Sequence, residues 1–365
     1  MNPVIEGSEV RALVSQMDER PDAAAFVYSY AAVTLFLTRT VPVDQTPTDR
    51  ERIAAFVARS VEHHRSPGMD SQPSIVDVMT DIFVQICFIG LRRLELGFLY
   101  LRQAISLLYL LKVDSEDAMN ALDPRERARY HRAYWECFIH ERFTSVTCYK
   151  PTCLQPLREL PEHDASVPHH VEDGFNCTIQ NFLLINREFL DFWLGDRSAV
   201  TLGWVEQQQQ QLEDPEWYRK VLQLPLIQQA DLIVTRHWIQ TLTWQIALSN
   251  FLLSSSAPFP LLSVSFPLRL SNELQSFLAH LPGNYIVGFH GSGILEKLLE
   301  IANTIADVVL QLDDVFRDDT VSRINDVVFL KKLLLSFPGF ADLQTSILTA
   351  KLEAISEKYP VMEFG

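Results

Sequence analysis

The sequence is short of positive charge. Its 31 Lys and Arg stand against 46 Asp and Glu, for a net charge of −15. Such a surface repels a phosphate backbone unless a local basic patch overrides it. The densest basic stretch is Arg125, Arg127, Arg129 and Arg132. It shares its helix with Glu126 and Glu136, so a solvated helix face is expected there. A disulfide framework is also missing. The five cysteines, Cys87, Cys137, Cys148, Cys153 and Cys177, are odd in number and scattered, which points to a reducing compartment. No two have the C-x2-C spacing that wraps zinc, and Cys148 and Cys153 have no matching pair within a zinc-sized loop. All five are expected as small buried hydrophobes.

Long apolar runs are lacking too. Trp238 to Leu268 carries no charge, but Pro258, Pro260 and Pro267 break it, and Gln240, Gln245, Asn250 and Ser254–Ser256 dilute it. A bilayer span needs about 20 continuous apolar residues. Met1 to Val10 holds Glu6 and Glu9 and no apolar run, so no secretory signal is expected and the chain reads as soluble. Alternating β patterns are scarce; the best candidate, Leu261 to Phe266, is short and flanked by prolines, and an isolated extended segment is expected.

Catalytic motifs are equally sparse. His63-His64 and His169-His170 are adjacent pairs whose side chains diverge on a helix, and no His-x-x-x-His with a glutamate occurs. Gly288 to Gly293 looks like part of a phosphate loop but lacks the preceding strand and the following Lys-Ser/Thr; a turn into the next helix accounts for it. There is no Gly-x-Ser-x-Gly elbow. Asp313, Asp314, Asp318 and Asp319 could hold magnesium against a diphosphate, as in terpene synthases and prenyltransferases. Only 46 residues follow Asp319, and Asn325-Asp326 is too close to face the first cluster across a bundle. Solvated acids at a helix end fit better. No catalytic, cofactor or metal residue is therefore expected.

What the sequence does have is helical periodicity, over 47% apolar composition. Ile75, Met79, Ile82, Ile86 and Ile89 share one helix face. So do Leu94, Phe98, Leu101, Ile105 and Leu108; Trp135, Phe138, Ile139, Arg142, Phe143 and Val146; and Ile294, Leu298, Ile301, Ile305 and Val308. Asp123-Pro124-Arg125-Glu126 is a helix start, with an aspartate cap and proline at the first helical position. Thr48 with Glu51, Asp214-Pro215 and Ser271 read as further caps. Pro151 to Pro168 reads as a long irregular connection, and Gln207 to Gln211 as an exposed linker or helix extension. The expected fold is all-α, an irregular multi-helix regulatory domain. Its expected segments are 1–70, 71–160, 161–225 and 226–365. Arg142 lies on an apolar stripe, where an unpaired guanidinium would be costly. Glu141, Glu136 or a group from another helix is its expected partner.

Two blocks carry a resemblance. The first, Asp77 to Pro156, contains Phe98 to Ala104 with its Leu-Arg-x-Ala, the Leu122 to Glu126 cap, Tyr134 and Trp135, then Glu141-Arg142 and Lys150-Pro151. It resembles the middle homology region of fungal zinc-cluster transcription factors. The second comprises 230–235, 238–248, 266–271 and 290–298. It resembles the C-terminal half of the same family's maltose and amylolytic regulators. Lys150 stands where arginine is commoner in that family, which keeps the charge and loses the planar fork. The family's six-cysteine zinc cluster is absent from this sequence.

The resemblance implies a nuclear transcription regulator controlling sugar-catabolic or secondary-metabolite genes, and not an enzyme. Protein partners are implied: a second copy, a full-length relative, or co-regulators. A small-molecule inducer is implied as well, with no direct nucleic-acid or membrane binding by this chain. Tyr134, Trp135, Glu141, Arg142, Lys150 and Pro151 become the regulatory candidates. A magnesium-dependent helical enzyme and a helical interaction scaffold are the alternatives.

Overall fold

The computed structural model describes residues 3–38, 48–64, 72–195, 199–253, 260–283, 287, 292–311, 317–337 and 342–359. These residues form an all-α protein, with no strand among them. They group into two compact units, one ending at Leu183 and the other running from Leu184.

The first unit contains α1 (Gly7–Gln16), α2 (Pro21–Thr38), α3 (Thr48–His63), α4 (Ile75–Gly90), α5 (Leu94–Leu110), α6 (Glu116–Asn120), α7 (Pro124–Cys148) and α8 (His169–Leu183). Helix α4 is its centre and packs against α2, α3, α5 and α7. It starts at a reciprocal cap: Ser74 Oγ accepts from Asp77 N at 3.3 Å, and Asp77 Oδ2 accepts from Ser74 N at 2.8 Å. Ile75, Met79, Ile82 and Ile89 of the periodic stripe are buried, Val78 is buried beside them, and Val84 and Cys87 are buried on other sides of the helix. Gly97 lets α5 lie close against α4, since a Cβ there would stand 2.8 Å from Ile89 Cδ1.

The centre of this unit holds a buried acid. Asp81 of α4 is fully buried, and its Oδ1 meets His64 Nε2 at 2.7 Å. Burial pushes the Asp81 carboxyl up to about 6, and the hydrogen bond to Asp81 raises His64. Both groups hold their proton more tightly in the folded state. The stability this confers is complete below about pH 4 and is lost as pH rises through the folded values. Asp81→Asn removes that loss, worth roughly 3 kcal/mol between pH 4 and 7. Thermal melts should show the variant gaining on the wild type by several degrees over that interval. Parallel profiles would mean that the carboxyl titrates normally.

The second unit contains α9 (Arg187–Leu194), α10 (Leu202–Leu212), α11 (Pro215–Val221), α12 (Leu226–Ser249), α13 (Phe266–Ala279), α14 (Ser292–Gln311), α15 (Arg317–Leu335) and α16 (Asp342–Lys358). Helix α12 is buried almost throughout from Gln229 to Ala247 and packs against α10, α11, α13 and α14. All five residues of the Ile294 stripe on α14 are buried.

Local signals place several boundaries. Asp123 Oδ1 caps α7 by accepting from Arg125 N at 3.1 Å and Glu126 N at 3.2 Å, and Asp214 caps α11 from Glu216 N at 3.0 Å. Helix α3 does begin at Thr48, whose side chain lies outside the described residues. Three expectations are corrected. Ser271 is no cap: it sits inside α13, buried, and donates to Asp326 Oδ2 at 2.6 Å. Leu261 to Phe266 is no extended segment; Pro260–Leu262 forms a 3-10 turn, and Phe266 already opens α13. The glutamine run takes the helical of its two readings, but it is not fully exposed. It lies within α10, with Gln208 and Gln209 buried and Gln209 Oε1 accepting from Leu261 N at 3.2 Å.

Candidate functional site

The regulatory candidates converge on α7 and the segment that follows it. Helix α7 ends at Tyr149, which adopts a left-handed conformation at φ 54° and turns the chain back. Residues 149–168 contain no helix, as the prolines imply, but they are firmly held. This strap runs antiparallel along α7 and is held mainly through its backbone. Near the C-terminal end of the helix, Glu141 accepts from Cys153 N at 2.8 Å and from Leu154 N at 3.0 Å. Arg142 Nη2 donates to Leu154 O at 2.7 Å. Further back, the Tyr134 hydroxyl donates to Gln155 O at 2.7 Å, and Trp135 Nε1 donates to Glu159 O at 3.3 Å. At the N-terminal end, Arg132 pairs with Asp164 at 2.7 Å, both side chains buried.

Glu141 is the hub. Besides the two backbone amides it accepts from Arg142 Nη1 at 2.9 Å and from Arg102 Nη1 of α5 at 3.1 Å. Its carboxyl is only 2% exposed, and these four donors replace the water it has lost. Arg142 stacks over the Phe138 ring, 4.2 Å from its centroid. Burial lowers the Arg142 guanidinium from its usual value, and Glu141 opposes that shift. Of the partners expected for Arg142, the structure supplies Glu141, with Arg102 as a further member of the cluster.

Lys150 and Pro151 stand apart from this hub. Lys150 Nζ reaches Glu95 at 2.9 Å and lies 5.3 Å from the Phe98 centroid, while Pro151 is exposed. Glu95 is 82% exposed, so the Lys150 pair contributes about 1 kcal/mol or less.

The basic stretch is a solvated face only at Arg125, which is exposed. Arg125 pairs with Glu6, Arg127 with Glu162 at 2.9 Å, Arg129 with Glu9 at 2.7 Å, and Arg132 with Asp164. Acids far away in sequence neutralise each one. The cysteine expectation also needs amending: Cys87, Cys137 and Cys177 are buried, but Cys148 is half-buried and Cys153 is exposed. Burial raises the Cys153 thiol above its usual value, and neighbouring Glu141 adds to the effect. A thiol so placed is a poor nucleophile at neutral pH.

The second block comes together around α12. Lys297 of α14 is 6% exposed and donates to Thr235 Oγ1 at 2.7 Å and Asp231 Oδ1 at 3.3 Å. Gln245 Nε2 bridges to Glu300 Oε1 and Thr304 Oγ1, both at 2.8 Å. Arg236 donates to Leu212 O at 3.0 Å and Gln211 O at 2.5 Å, occupying carbonyls that the end of α10 leaves open. Its guanidinium lies 4.1 Å from the Trp217 centroid. Glu273 of α13 is held below its usual value by His237, whose Nε2 stands 3.7 Å from its Oε2.

The remaining motifs yield little chemistry. His63 stacks on Tyr28 while His64 faces Asp81, so this pair diverges as expected. Asp313 and Asp314 lie outside the described residues, as do the side chains of Asp318 and Asp319. Asp326 is 1% exposed and engaged by Ser271. Residues 288–291 of the glycine-rich turn also lie outside the described set. No described helix is long and apolar enough to cross a membrane.

Comparison with known proteins finds distant sequence similarity to fungal zinc-cluster transcription regulators. Its similarity lies with the sugar-utilisation branch. A probable sucrose utilization protein of Candida albicans is 23% identical over 353 residues, 92% of this chain and 67% of the relative. A maltose fermentation regulatory protein of Saccharomyces cerevisiae is 20% identical over 318 residues, 82% of this chain and 64% of the relative. A respiratory transcription factor of the same yeast is 24% identical over 253 residues, 66% of this chain and 51% of the relative. The chain thus spans half to two thirds of the length of these relatives. No protein-family model matches it, and neither does any solved structure.

Proposed function

We propose that this chain is the regulatory body of a fungal transcription regulator that governs sugar-utilisation genes. The carrying observation is the extent of the similarity to the Candida sucrose utilization protein, which covers 92% of the chain. That coverage spans both helical units. The names of the relatives favour sugar use over a secondary-metabolite cluster as the target. None of them names an enzyme, and the strap and α7 form a clamp with no activated nucleophile. The nucleus is the place of action.

In this reading, a small-molecule inducer or a co-regulator acts by binding one arrangement of the helices better than another. The clamp of Glu141, Arg142 and Arg102 is the element such a ligand would bias. Promoter recognition belongs to another polypeptide segment or to a partner, for instance a full-length relative paired with this chain. The neutralised arginines of α7 support that assignment, since each already has its acid.

The test joins the chain to a heterologous DNA-binding domain in yeast and reads a reporter on glucose, sucrose and maltose. Output should change at least several-fold between glucose and one disaccharide. Identical output on every carbon source, from a fusion of equal abundance, would contradict the proposal. Tight, sequence-specific DNA binding by the isolated chain at physiological salt would contradict the assignment of promoter recognition.

A further inference from the structure

At the far end of the strap, three metal-ligating side chains meet. His163 belongs to the strap, His169 is the first residue of α8, and Glu172 lies one turn further along the same face of α8. One ligand atom from each lies within 4.8 Å of the other two. His163 Nδ1 stands 2.6 Å from Glu172 Oε2, and the His163 and His169 rings lie parallel with centroids 5.0 Å apart. The adjacent pair His169-His170 diverges, as its spacing implies. The second imidazole comes instead from His163, six residues earlier and outside the helix.

The geometry points to a divalent transition-metal site, with zinc as the ligand and His163, His169 and Glu172 as its donors. Two imidazole nitrogens and one carboxylate oxygen suit zinc, and three protein donors leave one position of a tetrahedron open. Calcium and magnesium demand mostly oxygen and would leave both imidazoles unused. Tetrahedral zinc places its donors about 3.3 Å apart. His163 Nδ1 and Glu172 Oε2, 2.6 Å apart, would open to that spacing as a metal enters.

The carboxylate is the fixed member. The Glu172 side chain is 10% exposed, and its Oε1 accepts from Asp164 N at 3.2 Å. Asp164 is in turn held by Arg132 of α7. This outer ring orients the ligand before any metal arrives. Zinc would take the place of the direct contact between His163 Nδ1 and Glu172 Oε2. A filled site would tie the strap to α8, as Glu141 ties it to α7 at the other end.

The experiment uses the full chain, stripped with chelator and titrated with cobalt(II) and zinc(II). Cobalt is read by its visible absorption, and zinc by competition and by calorimetry. One site per chain is expected, in the micromolar range or tighter, with a rise in melting temperature on zinc addition. His163→Ala and His169→Ala should each weaken binding at least tenfold. Both rings are exposed, and circular dichroism checks that the variants keep their helices. His170→Ala and Cys153→Ser should bind as the wild type does. No saturable one-to-one site in the wild type would overturn the proposal. So would binding unchanged in His163→Ala, or binding lost in His170→Ala or Cys153→Ser.

Discussion

Glu141→Ala is expected to lower the unfolding free energy of the first unit by about 3–5 kcal/mol, the range for removing one member of a buried ion pair. The loss has two sources. The Arg142 guanidinium, 3% exposed, would remain charged without its carboxylate, and the amides of Cys153 and Leu154 would lose their acceptor. Arg142→Met should cost less. It removes the buried charge itself, keeps most of the volume against Phe138, and leaves Glu141 with Arg102 and both amides. Urea denaturation of both variants and the double variant gives the comparison, since a cycle isolates the coupling between the two residues. A Glu141→Ala loss below about 1 kcal/mol would show that the strap does not depend on this carboxylate.

Trp238→Ala should be comparably damaging in the second unit, at about 3–5 kcal/mol for deleting a buried indole. Trp238 is 1% exposed and lies on α12, the helix against which α10, α11, α13 and α14 all pack. The Lys297 ammonium sits 6.0 Å from its ring centroid. The variant would therefore open a cavity beside a buried cation whose acceptors, Asp231 and Thr235, share α12. Hydrogen exchange should accelerate across α12 and α14. Unchanged protection there would place the unit's centre elsewhere.

The helical class was legible because periodicity and capping are local properties. The stripes on α4, α5, α7 and α14 repeat within a few turns, and Asp123 and Asp214 cap amides two or three residues away. Readings failed where the deciding partner was distant. Ser271 looks like a cap until its acceptor, Asp326, is found 55 residues later. The α7 arginines look solvated until Glu9, 120 residues earlier, and Glu162, 35 residues later, are brought beside them.

The candidate site divides in the same way. An arginine on an apolar stripe announces that it needs a partner, and its neighbour Glu141 is one. Arg102 was visible within the Leu-Arg-x-Ala of α5, but nothing local says that it turns toward α7. The cluster of His163, His169 and Glu172 was hidden by irregular chain, since only helices and strands have a period from which convergence can be read. The prolines of 151–168 exclude a helix without saying that the segment is docked.

How the strap is attached also governs how freely its sequence can drift. Much of the grip falls on peptide groups: the amides of Cys153 and Leu154, and the carbonyls of Leu154, Gln155 and Glu159. Peptide groups are the same whatever side chain they carry. Thr152, Gln155 and Leu157 can thus be exchanged with little penalty, whereas the helix residues that do the holding are bound to their chemistry. Two descendants of one ancestor could differ at exposed strap positions such as Gln155 and still close the same clamp.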